Sequence, residues 1–195
     1  MKLTKRIKES IRESEYKRLM NFTKGDEDVK KFTRERFLKI YTLLYYTGMR
    51  LNEVSQLKVS DLKTLIKKKE VKIVTHKQKM ERKLFFSDDA VKSIKKIFGE
   101  DLTLQDDARL IRKQNNPYAI LSPINLIDTV NKHIQKSLGD KSFTSHSFRQ
   151  GLITDYASKG VNTRIIQEFI GHSDTKTTMR YIRPTENDIK KTLVR

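Results

Sequence analysis

The chain has 195 residues, with 42 Lys and Arg against 24 Asp and Glu, a formal net charge of +18, and no cysteine. That length accommodates one domain with a proper core and a short appended arm. The missing cysteines exclude disulfides, thiolate metal sites and a cysteine nucleophile, and no apolar run approaches the roughly 20 residues of a membrane helix.

Along the chain, the first 32 residues read as a polar arm or linker. The opening MKLTKRIKESIRESEYKR lacks the apolar centre of a signal peptide, and Ile11, Tyr16, Leu19 and Met20 predict one amphipathic helix before the break at Lys24-Gly-Asp-Glu-Asp28. From Thr33 the pattern turns strongly apolar. Phe37, Leu38, Ile40, Tyr41, Leu43, Leu44 and Tyr45 predict a buried helix ending at Thr47-Gly48, and Leu51, Val54 and Leu57 predict a short second one. The period then changes. Residues 70–75 and 82–86 read as two strands joined by a polar turn over 76–81, and a short strand near 63–66 would complete a three-stranded antiparallel sheet.

Helical patterns return with Ser87 as a cap for a helix through Phe98. Others are expected over 124–138, 146–158 and 163–170, each followed by a glycine near its end. A short helix over 174–181 would stop before Pro184, and a last one over 185–195 opens with Thr185 and Asp188. The expected architecture is α+β, mainly helical, with one small sheet.

The charge is uneven. Between Lys63 and Lys83 there are nine Lys or Arg against two Glu. A basic ribbon on regular structure is the footprint of phosphate-backbone binding, and Lys72, Lys79 and Arg82 are its candidate DNA contacts. The four histidines (His76, His133, His146 and His172) include no pair with the spacing of a metal-binding helix. Two stretches carry chemistry of another kind: Ser145-His-Ser-Phe-Arg149, and Gly171-His172 followed by Tyr181. Cutting a phosphodiester needs a nucleophile in line with the leaving oxygen, cations on the nonbridging oxygens and an acid for the leaving alkoxide. A phenol can be that nucleophile. Arginine suits the second task, because its planar fork bonds two phosphate oxygens and stays charged.

Thr47-Gly-Met-Arg-Leu-Asn-Glu53, the lysine-bearing hairpin, His146-x-x-Arg149, and His172 with Tyr181 occur in one order that resembles the catalytic domain of the tyrosine recombinases, the phage-integrase and Xer-like family. The likeness covers about residues 33–181, within a catalytic unit expected over 33–184. It implies that Arg50 and Arg149 clamp the scissile phosphate, supported by Glu53. His172 would donate to a nonbridging oxygen, and His146 would accept or position the phenolic proton. Tyr181 would form a 3′-phosphotyrosyl bond that conserves bond energy, so that no ATP, metal or other cofactor is required. The hairpin lysine acting as general acid is Lys77, with Lys79 two residues on as the alternative. Gln150 stands where many relatives carry a second histidine, and Phe148 replaces a common leucine.

The resemblance also implies double-stranded DNA as partner, a tetramer formed as two dimers on that DNA, and a cytoplasmic, DNA-associated protein with no membrane part. The terminal helix over 185–195 is expected to dock either on its own domain or on a neighbouring subunit. Relatives carry a separate N-terminal domain, for which the first 32 residues are too few; a fragment of a longer protein and a minimal enzyme both fit. Two other activities share the same parts list: DNA relaxation by a type IB topoisomerase-like enzyme, and a non-catalytic DNA-binding module.

Overall fold

The computed structural model describes residues 9–74 and 81–171. In chain order the elements are α1 (Glu13–Gly25), α2 (Lys31–Thr47), α3 (Leu51–Val54), α4 (Val59–Lys68), β1 (Glu70–Val74), β2 (Glu81–Phe85), α5 (Asp88–Phe98), a 3-10 turn (Gly99–Thr103), α6 (Pro123–Leu138), α7 (Ser145–Ser158) and α8 (Thr163–Ile170).

The centre is α2. Phe37, Ile40, Tyr41 and Leu44 recur at helical spacing, all buried, and form the stripe that a core-facing helix requires. Around it pack α1, α5 and α7. Each fully buried side chain of this kind contributes about 1.5–3 kcal/mol. At Gly48 the helix ends in a left-handed turn, φ 58°, whose N–H donates to the Leu44 carbonyl. A side chain there would be strained twice over: its Cβ would lie 2.9 Å from Leu152 Cδ2 and 3.0 Å from Ile170 Cδ1. The turn thereby brings the α2 terminus directly against α7 and α8.

The helix expected within the N-terminal arm forms as α1 and packs on α2 and α6. Its ring Tyr16 stacks on Tyr45 with centroids 3.9 Å apart. Just before it, Ile11 is 1% exposed and belongs to the main core. The Ile11 N–H donates to the Ser147 carbonyl of α7 at 2.9 Å.

Among the described residues the sheet has two strands, not three. Residues 63–66, expected as a strand, lie inside α4. Val59, Leu62 and Leu65 are buried one turn apart, and Asp61 accepts from the Lys58 N–H at 2.9 Å to cap the helix start. The residues between them, Ser60, Asp61, Lys63 and Thr64, are less buried, and the lysine run over 67–69 that follows obscured the helical period. Among the described residues β1 therefore pairs with β2 alone, with Val71 opposite Leu84 and Ile73 opposite Arg82. After the 3-10 turn, residues 104–122 form an irregular connection held by Val59 N–H to Ala108 O and Leu110 N–H to Leu57 O.

The helices expected over 124–138, 146–158 and 163–170 appear as α6, α7 and α8 with starts shifted by at most one residue. Ser87 caps α5 by accepting from the Ala90 N–H. The helices expected over 174–181 and 185–195 lie outside the described residues. No helix among the described residues is long and apolar enough to cross a membrane.

Candidate active site

The site begins where α2 ends. Gly48 reverses the chain, Met49 is buried, and Arg50 becomes the residue preceding α3. Glu53 then reaches back: its Oε2 accepts from the Arg50 backbone N–H at 2.9 Å and its Oε1 from Arg50 Nη1 at 3.0 Å. One carboxylate thus fixes both the main chain and the guanidinium of Arg50. The Arg50 side chain remains 38% exposed, whereas that of Glu53 is 2% exposed. The α3 helix has only four residues, so its dipole adds little toward an anion. What it provides is a rigid start that points Arg50 outward.

Arg149 lies in the second turn of α7, buried. Its Nη1 donates to the Gly48 carbonyl at 2.9 Å and its Nη2 to the Ile170 carbonyl at 2.6 Å. Both carbonyls sit at helix C-termini, where the backbone is negatively polarised. Main-chain partners hold a guanidinium firmly without cancelling its formal charge. Gly48 and Arg149 are 101 positions apart in sequence; their bond seats Arg149 on the residue two positions before Arg50. His146, three residues earlier, is exposed in the first turn of α7. That turn is fixed by Ser145 N–H to Asn131 Oδ1 at 2.8 Å and Thr144 N–H to Ser147 Oγ at 3.0 Å.

The hairpin contributes two different faces. Lys72 and Lys83 oppose each other on the outward face. Each is drawn to a diagonal acid, Lys72 to Glu81 at 3.9 Å and Lys83 to Glu70 at 3.6 Å, and Lys72 is 64% exposed. Arg82 faces the other way. It stands opposite Ile73 and two residues from Leu84, both core residues, so the pleat directs it inward. Its Nη2 donates to Glu53 Oε2 at 2.9 Å and its Nη1 to the Phe169 carbonyl of α8 at 2.8 Å. Burial pulls the Arg82 guanidinium below its ordinary pKa; Glu53 opposes that shift, and neighbouring Arg50 adds to it. The sequence pointed to Arg82 as a DNA contact, yet its signal for the inward position was present: it shares parity with Leu84 along the strand.

Arg50, Glu53, Arg82 and Arg149 therefore meet where α2, α3, β2, α7 and the end of α8 converge. Lys77, Lys79, His172 and Tyr181 lie outside the described residues. By sequence, however, His172 directly follows Gly171, the left-handed cap of α8 at φ 70°, and Lys77 falls between the ends of β1 and β2.

A profile of the phage integrase family matches residues 9–188. The chain belongs to this family. Among curated relatives, the tyrosine recombinase XerC of Leptospira interrogans is 26% identical over 190 residues, covering 97% of this chain and 59% of its own length. Family likeness therefore spans about three fifths of that relative. Among solved structures, a XerH site-specific recombinase bound to its difH substrate in a pre-cleavage complex superposes with a TM-score of 0.72 at 19% identity. It covers 97% of this chain and 55% of that one. The catalytic domain of bacteriophage HP1 integrase gives a TM-score of 0.62 at 16% identity, covering 96% of this chain and 95% of that domain. The mainly helical family fold with its small antiparallel sheet is thus the fold of this chain.

Chemically, the described residues offer two anchored guanidiniums, Arg50 two residues after Gly48 and Arg149 bonded to the Gly48 carbonyl. Charged donors held in place by such bonds can bind an anion with little reorganisation.

Proposed function

We propose that this chain is the strand-cleaving part of a site-specific DNA recombinase acting through a covalent phosphotyrosine. The observation that carries the proposal is the bond from Arg149 to the Gly48 carbonyl, which brings the two arginines expected to hold a phosphate to one turn. Membership of a family whose relatives are named tyrosine recombinases supports the same reading, as does a structural neighbour described on its DNA substrate.

In this reading, Arg50 and Arg149 bind the nonbridging oxygens of the scissile phosphate, and His172 donates a further hydrogen bond. Tyr181 Oη attacks phosphorus, and its proton passes toward His146. The bond between phosphorus and the 5′ oxygen breaks as that oxygen takes a proton from Lys77, or from Lys79 two residues on. The 3′-phosphotyrosyl link retains the energy of the broken ester, so a second 5′ hydroxyl reverses the step. Lys72 binds the duplex backbone from the outward face of the hairpin. The catalytic unit runs from about residue 33 to 184, with α1 packed against it, and residues 185–195 dock on a neighbouring subunit in a DNA-bound tetramer. Such a protein works in the cytoplasm on chromosomal or mobile DNA.

The test uses a duplex selected by binding from a random library, rebuilt as a nicked suicide substrate. In EDTA the wild-type protein should form a covalent protein–DNA band, and Tyr181→Phe should bind the duplex yet form none. An undiminished band from that variant overturns the assignment. Relaxation of supercoiled plasmid lacking any selected site would assign topoisomerase activity instead.

A further inference from the structure

We propose that Arg82 is a positioning residue for strand cleavage rather than a contact to the DNA backbone. The inference rests on the recombinase reading above and adds a residue whose role that reading leaves open.

Three observations carry it. First, Arg82 is turned away from the exposed face of the hairpin, and its side chain is only 9% exposed. Second, its two terminal nitrogens go to two different parts of the site. One holds Glu53, the carboxylate that fixes Arg50 by main chain and side chain together; the other holds the Phe169 carbonyl. Arg149 takes the adjacent Ile170 carbonyl, so two guanidiniums grip the last two carbonyls of α8, immediately ahead of Gly171 and His172. Third, Gly171 lies flat on Arg82. A Cβ there would sit 2.9 Å from Arg82 Cδ and 3.2 Å from its Nε, and the glycine's left-handed φ of 70° completes the contact.

Stability alone does not account for this arrangement. Among the described residues Arg82 Nε is buried without a hydrogen-bond partner. A buried ion pair with such a defect is commonly no better than well-packed apolar residues. What an apolar residue lacks is a rigid planar fork with separate donors for Glu53 and α8. Through that fork the base of the hairpin, the Arg50 turn and the segment leading to His172 keep one fixed relation. Cleavage depends steeply on such alignment, since a misplacement of about 1 Å costs about 100-fold in rate.

The experiment measures single-turnover cleavage at saturating suicide duplex together with duplex affinity across salt concentrations, for wild type, Arg82→Met and Arg82→Lys. Arg82→Met should cleave about 100-fold more slowly. Its affinity should stay within about threefold of wild type and its salt dependence unchanged, because no phosphate contact is lost. Arg82→Lys keeps a charge beside Glu53 but cannot span to α8. It should recover about tenfold of the lost rate, and it decides the matter if Arg82→Met does not fold. Two results overturn the proposal: cleavage by the folded variants within twofold of wild type, or an affinity loss with the logarithmic salt slope lower by about one, the signature of a phosphate contact. A wild-type protein that forms no covalent species overturns the recombinase reading itself, which distinguishes that failure from this one.

Discussion

Gly151 provides the sharpest test of how the N-terminal segment joins the rest of the molecule. It lies inside α7, where replacing Gly by Ala ordinarily stabilises a helix by about 1 kcal/mol. Here the opposite sign is expected. A Cβ at Gly151 would fall 2.1 Å from the Ile11 carbonyl oxygen and 2.8 Å from its carbon. Both are backbone atoms, which cannot rotate aside. The segment would have to lift, breaking the Ile11 N–H bond to Ser147 and exposing a side chain now 1% exposed. Losing the burial removes about 2–3 kcal/mol, and losing the bond about 1 kcal/mol. Set against the helix gain, Gly151→Ala should destabilise the protein by about 2–3 kcal/mol in urea unfolding. In an Ile11→Ala background the anchor is already weak, so the added loss should shrink and the two changes should couple. A Gly151→Ala protein as stable as wild type, or more so, would refute this account of the crossing.

Three further outcomes follow from other sites. Glu53→Gln leaves the Arg50 and Arg82 guanidiniums without their shared anion. It should cost about 3 kcal/mol by urea unfolding, toward the low end for a broken buried pair because Arg50 is partly exposed. His133 is buried, 2.8 Å from the Tyr41 hydroxyl through Nδ1 and 3.2 Å from Asp26 Oδ2 through Nε2. Burial lowers its pKa against the opposing pull of Asp26. Since the folded value lies below the unfolded one of about 6.5, its contribution is complete above that pH and is lost as pH falls through the folded value. Unfolding free energy should thus decline from pH 7.5 to 5.5, and His133→Gln, though less stable, should flatten that slope; equal slopes in both proteins would count against it. Lys72→Ala, finally, should weaken duplex binding about equally for every sequence and reduce the logarithmic salt slope by about one in anisotropy titrations.

Much of the fold was legible along the chain because its signals are local. The stripe of Phe37, Ile40, Tyr41 and Leu44 needs only a period of 3.6 to be read as a buried helix, and Gly48, Gly139 and Gly171 mark helix ends where φ is positive. Ser87 announced α5 by its side chain. Local signals failed over 63–66, where surrounding lysines hid the spacing of Val59, Leu62 and Leu65 and suggested a strand. Of the candidate site, Arg50 with Glu53 was visible as a pair three residues apart, and the structure gives that pair its bonds.

Residue types and their spacing established which chemistry is on offer: two arginines, an acid three residues after the first, hairpin lysines, and a histidine and tyrosine in a set order. They could do so because both are properties of the chain alone. Which cations face solvent and which turn inward emerged from the fold. Lys72 and Arg82 belong to one basic ribbon in the sequence, yet the pleat and the Ile73–Arg82 register put them on opposite faces. The same holds for the meeting of Arg149 with Gly48, 101 positions away. No local pattern encodes that contact, because it comes from packing three helix ends around one buried guanidinium.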